Sequence, residues 1–311
     1  MNDILRFCDK NYCDFKSGNP KGCKPHWVRL LSVPDHETNL GDFDIIFCKE
    51  CEIGFTNPQP TKKSVHLLYD NKNSSDFDLI KKSLVDKIKD FLALRALKKI
   101  SQNRDIKNVL DFATGNGRLA FLSKKAFPLA RIDAVDYQSN PPELLKTRSA
   151  LLSYQSLSEF KWTKKYDLIF LRHVMEHSHR PVDLLKKLAT VLSTRGGVIY
   201  IEVPNLNSGC AKFFGRNWKL FYVPRHINHF TKESLRAVCI KAGLNPEIGE
   251  NEMPLMGNTL AIFFNLDQSN FSVKIAGILL HPIQLLIELC NRSSSCINAK
   301  CSIPDDLKSK S

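Results

Sequence analysis

The chain has 311 residues, 43% of them apolar and 25% charged, with a formal charge of +13. Its length supports one large domain or two modest ones, and its composition excludes a disordered chain. The positive excess fits a solvated lysine-rich surface and leaves open a nucleic-acid, anionic-membrane or phosphate-bearing partner. Met1–Lys24 is polar and lacks the apolar core of a signal peptide, so a cytoplasmic location is expected. The ten cysteines then read as thiols or metal ligands in a reducing compartment.

Cys8 and Cys13 stand among turn formers, Phe43–Cys48 reads as a strand, and Cys51 follows it. The pairs Cys8-x4-Cys13 and Cys48-x2-Cys51, brought together by a hairpin, would offer Zn²⁺ four thiolates, with Cys23 or His26 able to replace a member. Residues 1–60 are therefore expected to form a small zinc-ribbon-like module, and Thr56-Asn-Pro-Gln-Pro-Thr61 breaks the chain at its end. Residues 61–106 form a helical lead-in, since Ile80, Leu84, Ile88, Phe91 and Leu92 recur at helical spacing with lysines between them.

From 107 to 203, strands at Asn108–Phe112, Arg131–Asp136, Leu151–Tyr154, Asp167–Leu171 and Val198–Val203 alternate with helices near 117–126, 141–147 and 181–192. Such alternation implies an α/β fold with a doubly wound, mostly parallel sheet. A helix over 231–242, capped by Thr231 and stopped by Gly243, precedes closing strands at Glu247–Glu250 and Thr259–Asn265, which completes a domain over 107–268. Residues 269–290 form an apolar amphipathic helix whose narrow polar stripe is Lys274, Gly277, His281, Gln284 and Glu288. It is expected to dock on the protein or to lie in a membrane interface rather than to span a membrane. Residues 291–311 are polar and are expected to be a disordered tail.

The stretch Lys107–Arg118 places a strand ending on Asp111 before a turn with Gly115 and Gly117, and a helix after it. Glycines let backbone N–H groups approach a ligand, and the helix N-terminus favours negative charge. Gly115-Asn-Gly-Arg-Leu-Ala120 also satisfies the dinucleotide pattern, with Asp136 at the distance of a ribose-holding acid. Asp111 argues against NAD(P), because a carboxylate before the turn is placed to accept from a cationic amine. S-adenosylmethionine carries such an ammonium and no pyrophosphate.

The segment resembles motif I of class I S-adenosylmethionine-dependent methyltransferases. Ile132–Asp136, Tyr166–His177 and Leu192–Asn205 resemble that family's second, fourth and fifth strands with their following turns. The resemblance implies a Rossmann-like, mostly parallel seven-stranded sheet and S-adenosylmethionine as cofactor. It places Asp111, Ala113, Gly115 and Gly117 around the methionine part, and Asp136 and Tyr137 at the ribose. Gln155 and Ser156 fall at the adenine loop, and Arg172 and His173 border the cofactor. Ala113 departs from the family's usual glycine. Phe47–Pro60 resembles the end of a zinc-binding N-terminal module in a methyltransferase subgroup acting on sugars or other small metabolites, which implies structural zinc at Cys8, Cys13, Cys48 and Cys51.

Methyl transfer to a hydroxyl needs an oriented acceptor and a proton acceptor. His173, Glu176 and His177 share a face if helical, and in ubiquinone-pathway O-methyltransferases, which this segment resembles, an acid, a glutamate and a histidine at these positions hold a divalent metal. Here His173 replaces the first acid. A second cluster is Arg225-His-Ile-Asn-His-Phe230, with Phe221 and Tyr222 before it. His177, His173, His226 and His229 are the candidate catalytic residues, and Arg225 is a candidate contact for an anionic group. The expected function is methylation of a hydroxyl or carbon of a sugar or a nucleotide- or lipid-linked sugar in surface-polysaccharide biosynthesis, with peripheral membrane contact through 271–290. The alternatives are an RNA methyltransferase and a catalytically silent cofactor-binding partner. Nucleic acid is the weaker partner, since Leu171-Arg-His-Val stands where base amino-group methyltransferases carry Asn/Asp-Pro-Pro-Tyr/Phe.

Overall fold

The computed structural model describes residues 6–9, 13, 27–70, 84–101, 104–146, 151–268 and 270–305. The first elements are β1 (Phe7–Cys8), β2 (Trp27–Pro34), β3 (Asp42–Cys48), β4 (Ile53–Asn57), β5 (Gln59–Pro60) and the single turn α1 (Leu67–Asp70). Helix α2 (Leu84–Ser101) leads into β6 (Asn108–Phe112), α3 (Arg118–Ala126), β7 (Arg131–Asp136), β8 (Leu152–Ser156), β9 (Leu168–Arg172), α4 (Pro181–Ala189) and β10 (Val198–Pro204). Then come α5 (Gly209–Phe214), β11 (Asn228–His229), α6 (Lys232–Lys241), β12 (Asn245–Asn251), α7 (Met256–Phe263), α8 (Phe271–Leu279), α9 (His281–Asn291) and β13 (Cys296–Ser302).

Apolar runs in β6, β7, β9 and β10 place Val109, Leu110, Ile132, Ile169, Ile199 and Ile201 wholly out of solvent, because a parallel sheet is covered on both faces. The seven strands lie in the order β12-β13-β10-β9-β6-β7-β8. Strands β6 to β10 run parallel, and β13 is antiparallel to both of its neighbours. This is the mostly parallel, Rossmann-like sheet expected. Thr231 and Ser234 form a reciprocal capping box at the start of α6.

The C-terminal third differs from the sequence reading in three ways. The expected tail contains β13, which is buried between β12 and β10. Apart from Ile297 its buried apolar residues are small (Cys296, Ala299, Cys301), so no run of large apolar residues announces it. The expected strand at Thr259–Asn265 is instead α7, whose Gly257 backs onto α8 so closely that a Cβ there would lie 2.5 Å from the Val273 carbonyl oxygen. The expected single helix over 269–290 is two, α8 and α9, interrupted at Leu280, with Pro282 in the first turn of the second, where its missing N–H costs nothing. The helix expected at 141–147 is a single tight turn, Glu143–Leu145.

A second sheet, in the order β11-β4-β3-β2, is antiparallel. Three of its strands come from the first 60 residues, and β11 comes from the insertion after β10. His229 pairs with Gly54, where a Cβ would crowd the His229 Cβ and a Leu206 methyl at 3.1 Å.

A chain ending at Asn291 would strip the antiparallel partner from both β10 and β12. It is expected to lose the cooperative thermal transition followed by circular dichroism. A transition at the full-length temperature would refute the placement of β13.

Candidate active site

The C-terminal ends of β6, β7, β9 and β10 converge, as open α/β sheets require of a ligand site. The turn after β6 takes positive φ at Ala113 (59°), Gly115 (56°) and Gly117 (77°). Ala113 holds there a conformation that costs an L-residue about 1–2 kcal/mol. A Cβ on Gly115 would meet nothing within 4 Å, so the turn opens on free space. Gly117 is closed in: a Cβ there would come within 2.6 Å of Leu145. Asp136, ending β7, accepts from the Gly115 N–H at 2.7 Å and the Tyr137 N–H at 2.7 Å. This carboxylate ties the glycine turn to the second strand.

Asp111 is buried and accepts from the Thr114 hydroxyl at 2.5 Å. Burial pushes its carboxyl up to about 6, against the pull of Thr114 and of the Arg172 charge. A carboxylate held half-ready to ionise is a fit partner for a ligand ammonium. Tyr137 and Gln155 are exposed at the rim, whereas Ser156 is buried and donates to Glu159 at 3.0 Å. Gln155 thus remains open to a ligand, while Ser156 is engaged within its own turn.

Beyond β9, Arg172 forks onto Glu202 Oε1 through Nε at 2.9 Å and Nη2 at 2.7 Å. His173, at φ 54°, lies 3.2 Å from Glu176 Oε1 through Nδ1 and 3.5 Å from Glu202 Oε1 through Nε2. Burial alone would lower the imidazole's pKa, but the two carboxylates outweigh it and raise it to about 9. Glu202 is correspondingly held well below the usual carboxylate range, because Arg172 and His173 overcome its burial. His173 is therefore an imidazolium at neutral pH, a source of positive charge rather than a base. Glu202 escaped the sequence reading, although a lone acid within Ile-Tyr-Ile-Glu-Val was a visible signal.

His177 and His226 are held in the neutral form. His177 Nδ1 lies 2.9 Å from the Arg225 carbonyl and 2.9 Å from the Tyr69 hydroxyl, and His226 Nδ1 lies 2.8 Å from the Leu220 carbonyl. A carbonyl only accepts, so each Nδ1 carries the proton and each Nε2 is left with a lone pair. Burial lowers both pKa values, that of His226 strongly. Their rings meet edge to face at 4.7 Å, and Glu176, His177 and His226 bring ligand-type atoms within 4.8 Å of one another. Glu176 is fully buried and its Oε2 has no partner.

His229 sits elsewhere. Its Nε2 is 2.9 Å from the Thr56 hydroxyl, whose own proton goes to the His226 carbonyl at 2.6 Å. His229 therefore donates to Thr56, and burial lowers its pKa to about 3. Tyr69, from α1, was not anticipated, since it belongs to no motif. In the N-terminal module, Cys13, Cys48 and Cys51 are buried with their sulfurs within 4.8 Å of one another. Cys8 does not join them. It is exposed on β1, which pairs with β5 and lies outside this cluster. Cys23 and His26 lie outside the described residues.

A family model described as a methyltransferase domain matches residues 82–247, just over half of the chain. The chain belongs to that family. It is a class I S-adenosylmethionine-dependent methyltransferase. Among solved structures, the plantazolicin methyltransferase BamL, in complex with a triazolic desmethylPZN analog and SAH, is 18% identical. That match covers 77% of this chain and 89% of that one with a TM-score of 0.45. Coclaurine N-methyltransferase, bound to N-methylheliamine and SAH, is 12% identical over 74% and 78% with a TM-score of 0.47. A methyltransferase in complex with the Haloferax volcanii activator Trm112 appears in a structure matched at 15% identity over 71% and 94%, with a TM-score of 0.43. No curated protein matches the sequence.

Proposed function

We propose that this methyltransferase binds the methionine end of S-adenosylmethionine at Asp111, Ala113, Gly115 and Gly117. In this reading the ribose is held at Asp136 beside Tyr137, with Gln155 and Ser156 at the adenine and with Arg172 and His173 bordering the donor. The observation that carries this reading is the buried Asp111 carboxyl at the end of β6, under an open glycine turn. The ligand supplies an activated methyl on a sulfonium. The chain's residues orient the acceptor and take its proton. His177 and His226, with bare Nε2 atoms, are the proposed proton acceptors; His173 supplies positive charge, and His229 braces the loop through Thr56.

The proposed acceptor is a small molecule methylated on a hydroxyl or carbon, in the first instance a sugar or a nucleotide- or lipid-linked sugar of a surface-polysaccharide pathway. The tyrosines Tyr69 and Tyr222 beside neutral imidazoles support it, since an aromatic face with hydrogen-bonding groups suits a sugar. Zinc is proposed at Cys13, Cys48 and Cys51, whose buried sulfurs converge as thiolate ligands do. Peripheral membrane contact is proposed through α8 and α9. Of the polar stripe, Gln284 and Glu288 are buried and hydrogen-bonded to each other at 3.0 Å, while Leu286 and Leu289 are 59% and 73% exposed. Among the described residues no helix is long and apolar enough to cross a membrane.

Three measurements test these assignments. Calorimetry with S-adenosylmethionine should show release of about half a proton per site near pH 6 and almost none at pH 8, because the ammonium drives the last proton off Asp111. Affinity should weaken by up to about tenfold per pH unit below 6, and a pH-independent affinity with no proton release would refute the role of Asp111. One zinc per chain is expected, and its removal by a chelator, or Cys51→Ser, should lower Tm by roughly 5–10 °C. A metal-free protein of unchanged Tm refutes the zinc site. Cosedimentation with anionic vesicles at low salt should be lost in a Leu286→Ser/Leu289→Ser variant, and no cosedimentation of the parent chain removes the membrane contact.

A further inference from the structure

We propose that Arg225 is an anion-binding residue of the acceptor site, so that the acceptor carries a carboxylate or phosphate group. The inference rests on the acceptor site proposed above. Arg225 is 95% buried, being 5% exposed. Its Nε and Nη2 both donate to the Leu68 carbonyl, at 3.0 and 2.7 Å, and its buried Nη1 has no partner. The rings of Tyr222 and Tyr69 lie 5.1 and 5.8 Å from the guanidinium carbon. Among the described residues no carboxylate lies within 4.0 Å of it.

Burying a guanidinium is costly unless a counter-charge is supplied. Two tyrosine faces offset part of that cost, and one carbonyl does not neutralise a charge. Elsewhere in the crevice the charges are matched: Glu202 has Arg172, and Glu176 has the His173 imidazolium. Arg225 is the cation left over. The same pairing disfavours a cation at Glu176, His177 and His226, because His173 already occupies Glu176 Oε1 with a positive charge.

The position suits an acceptor. The Arg225 carbonyl takes the Nδ1 proton of His177, and Tyr69 touches both the His177 imidazole and the guanidinium face. An oxyanion on Nη1 would thus be bound within one residue's reach of the proposed proton acceptor. With Nε and one Nη2 proton committed to Leu68, both Nη1 protons and the second Nη2 proton remain, so the end of the guanidinium can still take an oxyanion with two side-by-side N–H groups.

The test uses the full chain saturated with S-adenosylhomocysteine, titrated with inorganic phosphate and with acetate at constant ionic strength. The wild type should bind one anion saturably and gain Tm relative to chloride. Arg225→Gln should weaken that binding at least tenfold and Arg225→Lys less, with S-adenosylhomocysteine affinity changed by less than twofold. A phosphate response without an acetate response assigns a phosphoryl acceptor, and the reverse assigns a carboxylate. Binding that Arg225→Gln leaves unchanged overturns the proposal, as does a wild type whose Tm responds to neither anion; the second result holds even if the variants do not fold. Zn²⁺ or Mn²⁺ bound in place of an anion, and lost in Glu176→Gln, overturns it in favour of a cation site. Anion binding without S-adenosylhomocysteine binding would sink the methyltransferase site assignment and leave the anion site standing.

Discussion

Everything at the acceptor end depends on the two-residue ladder between β4 and β11. The insertion after β10 is long and irregular, and its internal hydrogen bonds alone do not place Arg225 and His226 against the turn that follows β9. The hold comes from both sides. Asn228 donates to the Met175 and Ser178 carbonyls, and the Ile227 N–H donates to the Glu176 carbonyl. From the other side, Thr56 and Gln59 of the N-terminal segment bond the His226 and Ile227 carbonyls. Residues 1–60 are therefore more than an appended module, since their sheet takes its last strand from the insertion and fixes where the imidazoles point.

The electrostatics follow from burial. Arg172, Glu202, His173 and Glu176 form a chain of alternating charge at the ends of β9 and β10. Glu202 and Glu176 are buried whereas the Arg172 side chain is 41% exposed, so removing His173 strands two buried carboxylates and should cost more than removing the solvent-screened Arg172. The folded pKa of His173, about 9, lies above the unfolded value, so its stabilisation is full below about 6.5 and fades as pH rises through 9. Asp111 has the same pH sense, since its raised folded pKa makes stability fall as pH rises from about 4 to 6: ionising it is unfavourable, and that free energy is recovered when a cation arrives.

The segments proposed to hold the cofactor were legible as strands and turns because they are local. Asp111, Gly115, Gly117 and Asp136 lie in two strand-to-turn segments whose spacing is set by the β–α–β repeat, and both strand ranges match the structure to the residue. The acceptor half was legible only as a list of histidines. Whether an imidazole is base, cation or brace depends on its partners: Glu176 and Glu202 for His173, Thr56 for His229, the Arg225 and Leu220 carbonyls for His177 and His226. Glu176 lies three residues from His173, within reach of a spacing rule, but Glu202, Thr56 and the Arg225 carbonyl are tens of residues from the imidazoles they meet, where no spacing rule applies. Strand β13 and helix α7 were missed for a related reason. Small buried residues carry no hydrophobic period, and an apolar run without a period takes its conformation from what it packs on.

The cysteine cluster bears on the same geometry. Cys48 closes β3 and Cys51 stands in the turn before β4, so both lie at the hairpin that sets the register of β4. Gly54 and Thr56, three and five residues further on, are the groups that receive His229. A metal at these sulfurs would clamp a hairpin turn whose other strand end positions the proposed acceptor loop, and Glu52, which follows Cys51 with positive φ, closes that hairpin by donating its N–H to the Cys48 carbonyl at 2.8 Å. Its carbonyl accepts the Thr231 hydroxyl proton and so joins the hairpin to the cap of α6. The N-terminal cysteines and the acceptor site are thus two ends of one short ladder, which is why damage at the sulfurs should be felt at His226 before it is felt at Asp111.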